Sequence, residues 1–118
     1  MNPAARPQPA PIQQPASSHV LPDVLCHASL IGDDEISRQL RADLTARAEA
    51  GVQKYGTPLT THNGRNALMD CYQEVLDAAM YARQASLEAE DMDVNLWTLY
   101  EDALFHARRL RVLLNRRP

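Results

Sequence analysis

The sequence predicts an all-α protein: an antiparallel helical bundle of three long helices preceded by a short one, with a disordered N-terminal tail. Three observations predict it. Apolar residues recur at three- and four-residue spacing through residues 34–54, 64–89 and 94–115. Helix start and stop signals stand between those segments: the acids Asp33, Asp34 and Glu35, the pair Gly56 and Pro58, the turn Asn63-Gly64, and Asp93. Finally, residues 1–18 are rich in Pro, Ala and Gln and lack apolar periodicity. Such a stretch cannot bury enough surface to offset the entropy of ordering it.

At 118 residues the chain is one domain at most, a tail over 1–18 and a helical domain over 19–118, with room for a modest core. Val20, Leu21, Val24, Leu25 and Leu30 suit a short helix starting near Pro22. The first long helix is expected from Asp34 to Lys54, with Leu40, Leu44, Gly51, Val52 and Tyr55 facing inward. Gly51 weakens its last turn or permits a close approach. Gly56 and Pro58 end it, and Thr57 to His62 form a loop. The second long helix starts at Asn63 or Gly64 and runs to Ala89, with Leu68, Cys71, Tyr72, Val75, Leu76, Ala79 and Ala82 as its apolar arc. Asp93 caps the last helix, whose inward stripe is Leu96, Leu99, Tyr100, Ala103, Ala107, Leu110 and Leu114.

Charge and composition exclude several functions. A net charge of -3 gives no broad attraction to nucleic acid or to an anionic membrane. No apolar run approaches spanning length, and no charged-then-apolar leader opens the chain, so a cytoplasmic protein is expected. Cys26 and Cys71 lack CxxC spacing and read as reduced, partly buried thiols. Trp97 and Phe105 are too few and too far apart to stack single-stranded nucleic acid.

The chemistry concentrates between residues 52 and 77. Lys54, the only lysine among eleven arginines, stands beside Tyr55 and Gly56, and Asn63-Gly64-Arg65 follows. Asp70, Glu74 and Asp77 then lie within roughly 60° of one another on one helical face. Carboxylates at i, i+4 and i+7 can converge on Mg²⁺, which takes hard oxygen ligands and keeps waters and phosphate oxygens in its shell. Lys54 offers a point charge for phosphates and Arg65 a planar fork, while Tyr55 can stack on a base or simply pack. The backbone of Asn63, Gly64 and Arg65, at a helix N-terminus, offers N–H groups to an anion. Against this stands the plain reading that acids opposite an apolar arc are a solvated face. No lysine or arginine compensates them within that face. The basic end of the chain, Arg108, Arg109 and Arg111 with Arg116 and Arg117, reads first as complement to the helix dipole, with phosphate binding as the alternative.

Lys54-Tyr55-Gly56, the turn Asn63-Gly64-Arg65, and Glu74-Val75-Leu76-Asp77 within YQEVLDAAMYARQ resemble small phage and actinobacterial proteins of the MazG-like, all-α nucleoside triphosphate pyrophosphohydrolase superfamily. The resemblance covers residues 34–88 and, more loosely, the final helix. It implies a homo-oligomeric helical bundle that splits NTP or dNTP into monophosphate and pyrophosphate with Mg²⁺. Glu74 and Asp77 correspond to the ExxD half of the family's acidic pattern and become catalytic metal ligands, joined by Asp70. Lys54, Tyr55, Asn63 and Arg65 become the substrate contacts. No ExxE stands on the preceding helix, which offers only Glu35, Asp43 and Glu49. Two alternatives follow from that gap: a helical module that binds a nucleotide signal without cleaving it, or a protein–protein adaptor.

Overall fold

The structure, a computed structural model, describes residues 3–5, 7–15 and 17–116. Its elements are a 3₁₀ turn Pro3–Ala5 and four α-helices: α1 Leu21–Ile31, α2 Glu35–Tyr55, α3 Ala67–Glu88 and α4 Val94–Arg116. No strand occurs among the described residues. None of the described helices is long and apolar enough to cross a membrane. The all-helical expectation therefore holds, with three long helices and one short.

The chain divides into two compact units, one made of Met1–Gln8 with Asn66–Pro118 and the other of Pro9–Arg65. Each is built on one helical hairpin, α3 with α4 in the first and α1 with α2 in the second. The connections between paired helices are short, as antiparallel neighbours require.

In the Pro9–Arg65 unit, α2 begins where its sequence signals place it. Asp34 is the N-cap, and its carboxylate accepts the Ser37 N–H at 2.9 Å. Hydrogen bonding from Ser37, side chain and then backbone, holds the Asp34 carboxyl below its usual range. The unfolded chain thus binds this proton more readily than the folded one, so stability rises with pH across that window. Acid that takes the pH down through the folded pKa should remove the contribution, and Asp34→Asn should flatten that part of an acid-melting curve. At its other end α2 closes on Gly56, which has φ +81° and donates its N–H to the Val52 carbonyl at 2.7 Å.

The packed side of α2 differs from the expected stripe. Leu40, Val52 and Tyr55 are exposed, whereas Ser37, Arg41, Leu44, Thr45, Ala48 and Gly51 are half-buried. Small residues let α1 lie close, and Arg41 reaches back to the Gly32 carbonyl. No neighbour stands within 4 Å of where a Gly51 Cβ would be, so the close approach suggested there is absent. Gly51→Ala should raise stability by up to about 1 kcal/mol, read as a higher melting temperature.

Residues 1, 2, 6 and 16 of the expected disordered tail lie outside the described residues. The described part, 7–15 and 17–18, carries no helix or strand but is tied to the loop after α2 or to the start of α3. Ile12 donates its N–H to the Asn63 carbonyl at 2.7 Å, and Thr61 donates to the Ser18 carbonyl at 2.8 Å. Val20 donates to the Leu59 carbonyl, and His19 and Thr60 form an antiparallel bridge.

In the other unit α3 starts at Ala67, three residues later than Gly64, because Gly64 sits at φ +83° and Asn66 takes the cap. The Asn66 side chain accepts the Met69 N–H at 3.1 Å. Asn66→Ala should cost about 1 kcal/mol, measurable by denaturant unfolding. Asp93 caps α4 as expected, accepting the Asn95 N–H at 2.8 Å. Along α4 the packed residues are Leu96, Tyr100, Ala103, Ala107, Leu110 and Leu114; Leu99, expected among them, is turned outward and 58% exposed. On α3 Met69 is buried, while Cys71 is exposed, as is Cys26. Both thiols are free but neither is the half-buried residue expected.

The core is thin. Among the described residues its buried apolar members are Ala28, Met69, Ala79 and Ala107, and no large side chain is fully enclosed. Within each unit the paired helices share a packed seam, and much apolar surface lies outside it.

Candidate functional site

The loop end of α2 carries a cluster of cations on an aromatic ring. Lys54 and Tyr55 come from the last turn of α2, and Arg65 from the turn that ends the Pro9–Arg65 unit. The Lys54 Nζ lies 5.1 Å from the Tyr55 ring centroid and the Arg65 Cζ 5.9 Å from it. A ring face attracts a cation by about 0.5–1 kcal/mol at an exposed position, enough to orient two flexible side chains but not to neutralise them. Tyr55 is 45% exposed, so part of its ring is open to a ligand. Two positive groups held on one ring repel each other, and an anion between them relieves that repulsion. Phosphate forms stronger, charge-assisted bonds to both.

Arg65 is positioned by its own turn. Its Nη1 donates to the Pro9 carbonyl at 2.7 Å, and its N–H donates to the Asn63 Oδ1 at 3.1 Å. Asn63 is buried, and its carbonyl receives the Ile12 N–H. The sequence groups Asn63 with the ligand contacts; in the structure its side-chain oxygen closes an Asx turn that sets the direction of Arg65. His62, exposed at φ +53°, lies in the same turn, its Nδ1 3.2 Å from the Thr61 Oγ1. Of the backbone N–H groups of Asn63, Gly64 and Arg65 expected to be open to an anion, that of Arg65 is occupied by Asn63; that of the next residue, Asn66, donates to the Gln8 Oε1 at 2.6 Å.

The acids lie along α3. Asp70 is half-buried and accepts the Gln8 Nε2 at 2.6 Å, while the same amide also donates to the Asn66 carbonyl at 3.2 Å. Gln8 thus clasps the first turn of α3 through backbone and carboxylate together. Sequence reading missed this, because a glutamine in a proline-rich stretch carries no local signal of a partner 62 residues away. Glu74 and Asp77 are exposed one turn apart and line an open cavity of about 420 Å³ with Ala4, Ala5, Gln73 and Met80. Among the described residues no three His, Cys, Asp or Glu side chains gather as a metal group. The two carboxylates of Glu74 and Asp77 still match what magnesium asks of a protein, one or two carboxylate oxygens with the rest of its shell left to water and phosphate.

Compared with family models, with curated proteins and with solved structures, the chain matches none of them.

Proposed function

We propose that this chain is a homo-oligomeric, Mg²⁺-dependent nucleoside triphosphate pyrophosphohydrolase-like protein acting on NTP or dNTP. The observation that carries the nucleotide reading is the pair of cations, Lys54 and Arg65, drawn onto the half-open Tyr55 ring. Arg65 supplies a guanidinium charge held in place by its bond to the Pro9 carbonyl, and Lys54 a mobile point charge. Glu74 and Asp77 would hold the metal. When bound, Mg²⁺ neutralises phosphate charge and acidifies a water molecule. Glu74 accepts the proton of the water that adds to the α-phosphorus, the bridge to the β-phosphate breaks, and monophosphate and pyrophosphate leave. The thin core supports assembly into an oligomer, since a partner would cover the apolar surface left open. The test is pyrophosphate release from a panel of NTPs and dNTPs with Mg²⁺. Turnover of at least one supports the reading, and turnover of none rejects hydrolysis.

A second reading, nucleotide capture without cleavage, is favoured by one observation. Asp70 is engaged by Gln8, which leaves two of the three expected acids facing the cavity on α3. Tight binding with no product would select it.

A further inference from the structure

We infer that a second copy of this chain docks along α4, antiparallel, on a two-fold axis that passes between Leu104 and Phe105. The inference rests on the oligomer part of the reading above and on none of its nucleotide chemistry.

Helix α4 is apolar on two faces. One, Leu96 through Leu114, packs within its own hairpin. At 100° per residue the other spans roughly 100° and is centred about 130° round the helix, holding Val94, Trp97, Leu104, Phe105 and Val112 with Glu101 and Arg108 among them. All seven are exposed, Phe105 by 62% and Trp97 by 44%. A helix apolar on both sides is one that is covered on both sides.

The occupant follows from the order of charges. Glu101 and Arg108 stand at equal distances from the midpoint between Leu104 and Phe105, and so do Trp97 and Val112. An antiparallel copy about that midpoint sets Glu101 against Arg108 twice and Trp97 against Val112 twice, with Leu104 and Phe105 meeting at the centre. That is the self-complementarity an isologous interface demands. Among the described residues neither Glu101 nor Arg108 has an ion-pair partner within the chain.

The surface is continuous with a groove of about 560 Å³ on the same hairpin, lined by Met80, Leu87, Tyr100 and Leu104 and rimmed by Arg83, Gln84 and Glu88. Arg83 reaches over Trp97 and Tyr100, 5.4 and 5.6 Å from their ring centres, and so fixes one edge of the face in advance. Met80, Leu87, Val94, Leu104 and Phe105 of this face and groove are all exposed, a contiguous apolar surface of the kind a partner covers. An apolar centre with arginine and aromatic side chains and a polar rim is the usual anatomy of such a surface.

Sedimentation of the full chain without nucleotide tests this. The native chain should assemble in steps of twice its 13.2 kDa mass. Arg108→Glu and Glu101→Arg should each weaken association about tenfold, since each places like charges in contact twice, and the double reversal should recover most of that loss. Phe105→Glu should weaken it at least about a hundredfold by burying a charge at the centre. If Phe105→Glu loses helicity, the charge reversals alone decide. An oligomer that the double reversal fails to restore overturns this surface while leaving assembly intact. A monomer at every concentration overturns both.

Discussion

Glu74→Gln is expected to lower pyrophosphate release by at least about a hundredfold, the usual scale for losing a general base or a metal carboxylate. The substitution keeps the size and the oxygen of the side chain but removes its charge and its capacity to take a proton. Because Glu74 is exposed on α3, the change should leave the melting temperature nearly unmoved. A loss of rate without a loss of stability is therefore the outcome that assigns the role. Asp77→Asn should behave in the same way, and Asp70→Asn should not. Asp70 is tied to Gln8, so its replacement should show first as a change in stability at the start of α3. Full activity in Glu74→Gln would remove Glu74 from the chemistry.

Gly64→Val is expected to cost about 2–3 kcal/mol. Gly64 has φ +83°, a conformation that β-branched side chains adopt only with strain. A Cβ there would also lie 3.2 Å from the Ile12 Cγ1, so the residue that hydrogen-bonds Asn63 would have to shift. Chemical unfolding should show the loss directly. Because the same turn aims Arg65, nucleotide affinity should fall with it, whereas Gly51→Ala should leave affinity unchanged.

Much of the fold was legible in the sequence because helices announce themselves locally. Asp34, Gly56 and Asp93 act at the ends they were expected to mark, since each works through bonds within a few residues. The start of α3 was harder. Asn63-Gly64 looks like a helix opening, but two left-handed residues at 62 and 64 delay it until Asn66 can cap. Periodicity also overstated the core. It selected Leu40, Leu99 and Cys71 as inward because they are apolar, and these lie open because each hairpin has a single packed seam. The same feature hid the second face of α4, which becomes visible only when the first is seen to be occupied.

The candidate site was legible by residue type and not by partner. Lys54, Tyr55 and Arg65 were expected together from their spacing, and they meet on one ring. Asn63 was expected as a ligand contact from the resemblance of its turn, and in the structure its side-chain oxygen accepts the Arg65 N–H of that turn. The Gln8 clasp on Asp70 and Asn66 joins residues far apart in the chain, and no local pattern carries such a contact.

The most direct measurement is the melting temperature of the full chain with NTPs and dNTPs, with and without Mg²⁺, repeated for Lys54→Ala. A ligand that binds only the folded state must raise its stability, by about 2.7 kcal/mol at a hundred times its dissociation constant. At least one nucleotide should raise the melting temperature of the native chain by several degrees, and Lys54→Ala should lose most of that rise. No shift with any nucleotide would contradict the account and leave a helical adaptor in its place; an equal shift in Lys54→Ala would move the ligand away from the Tyr55 cluster.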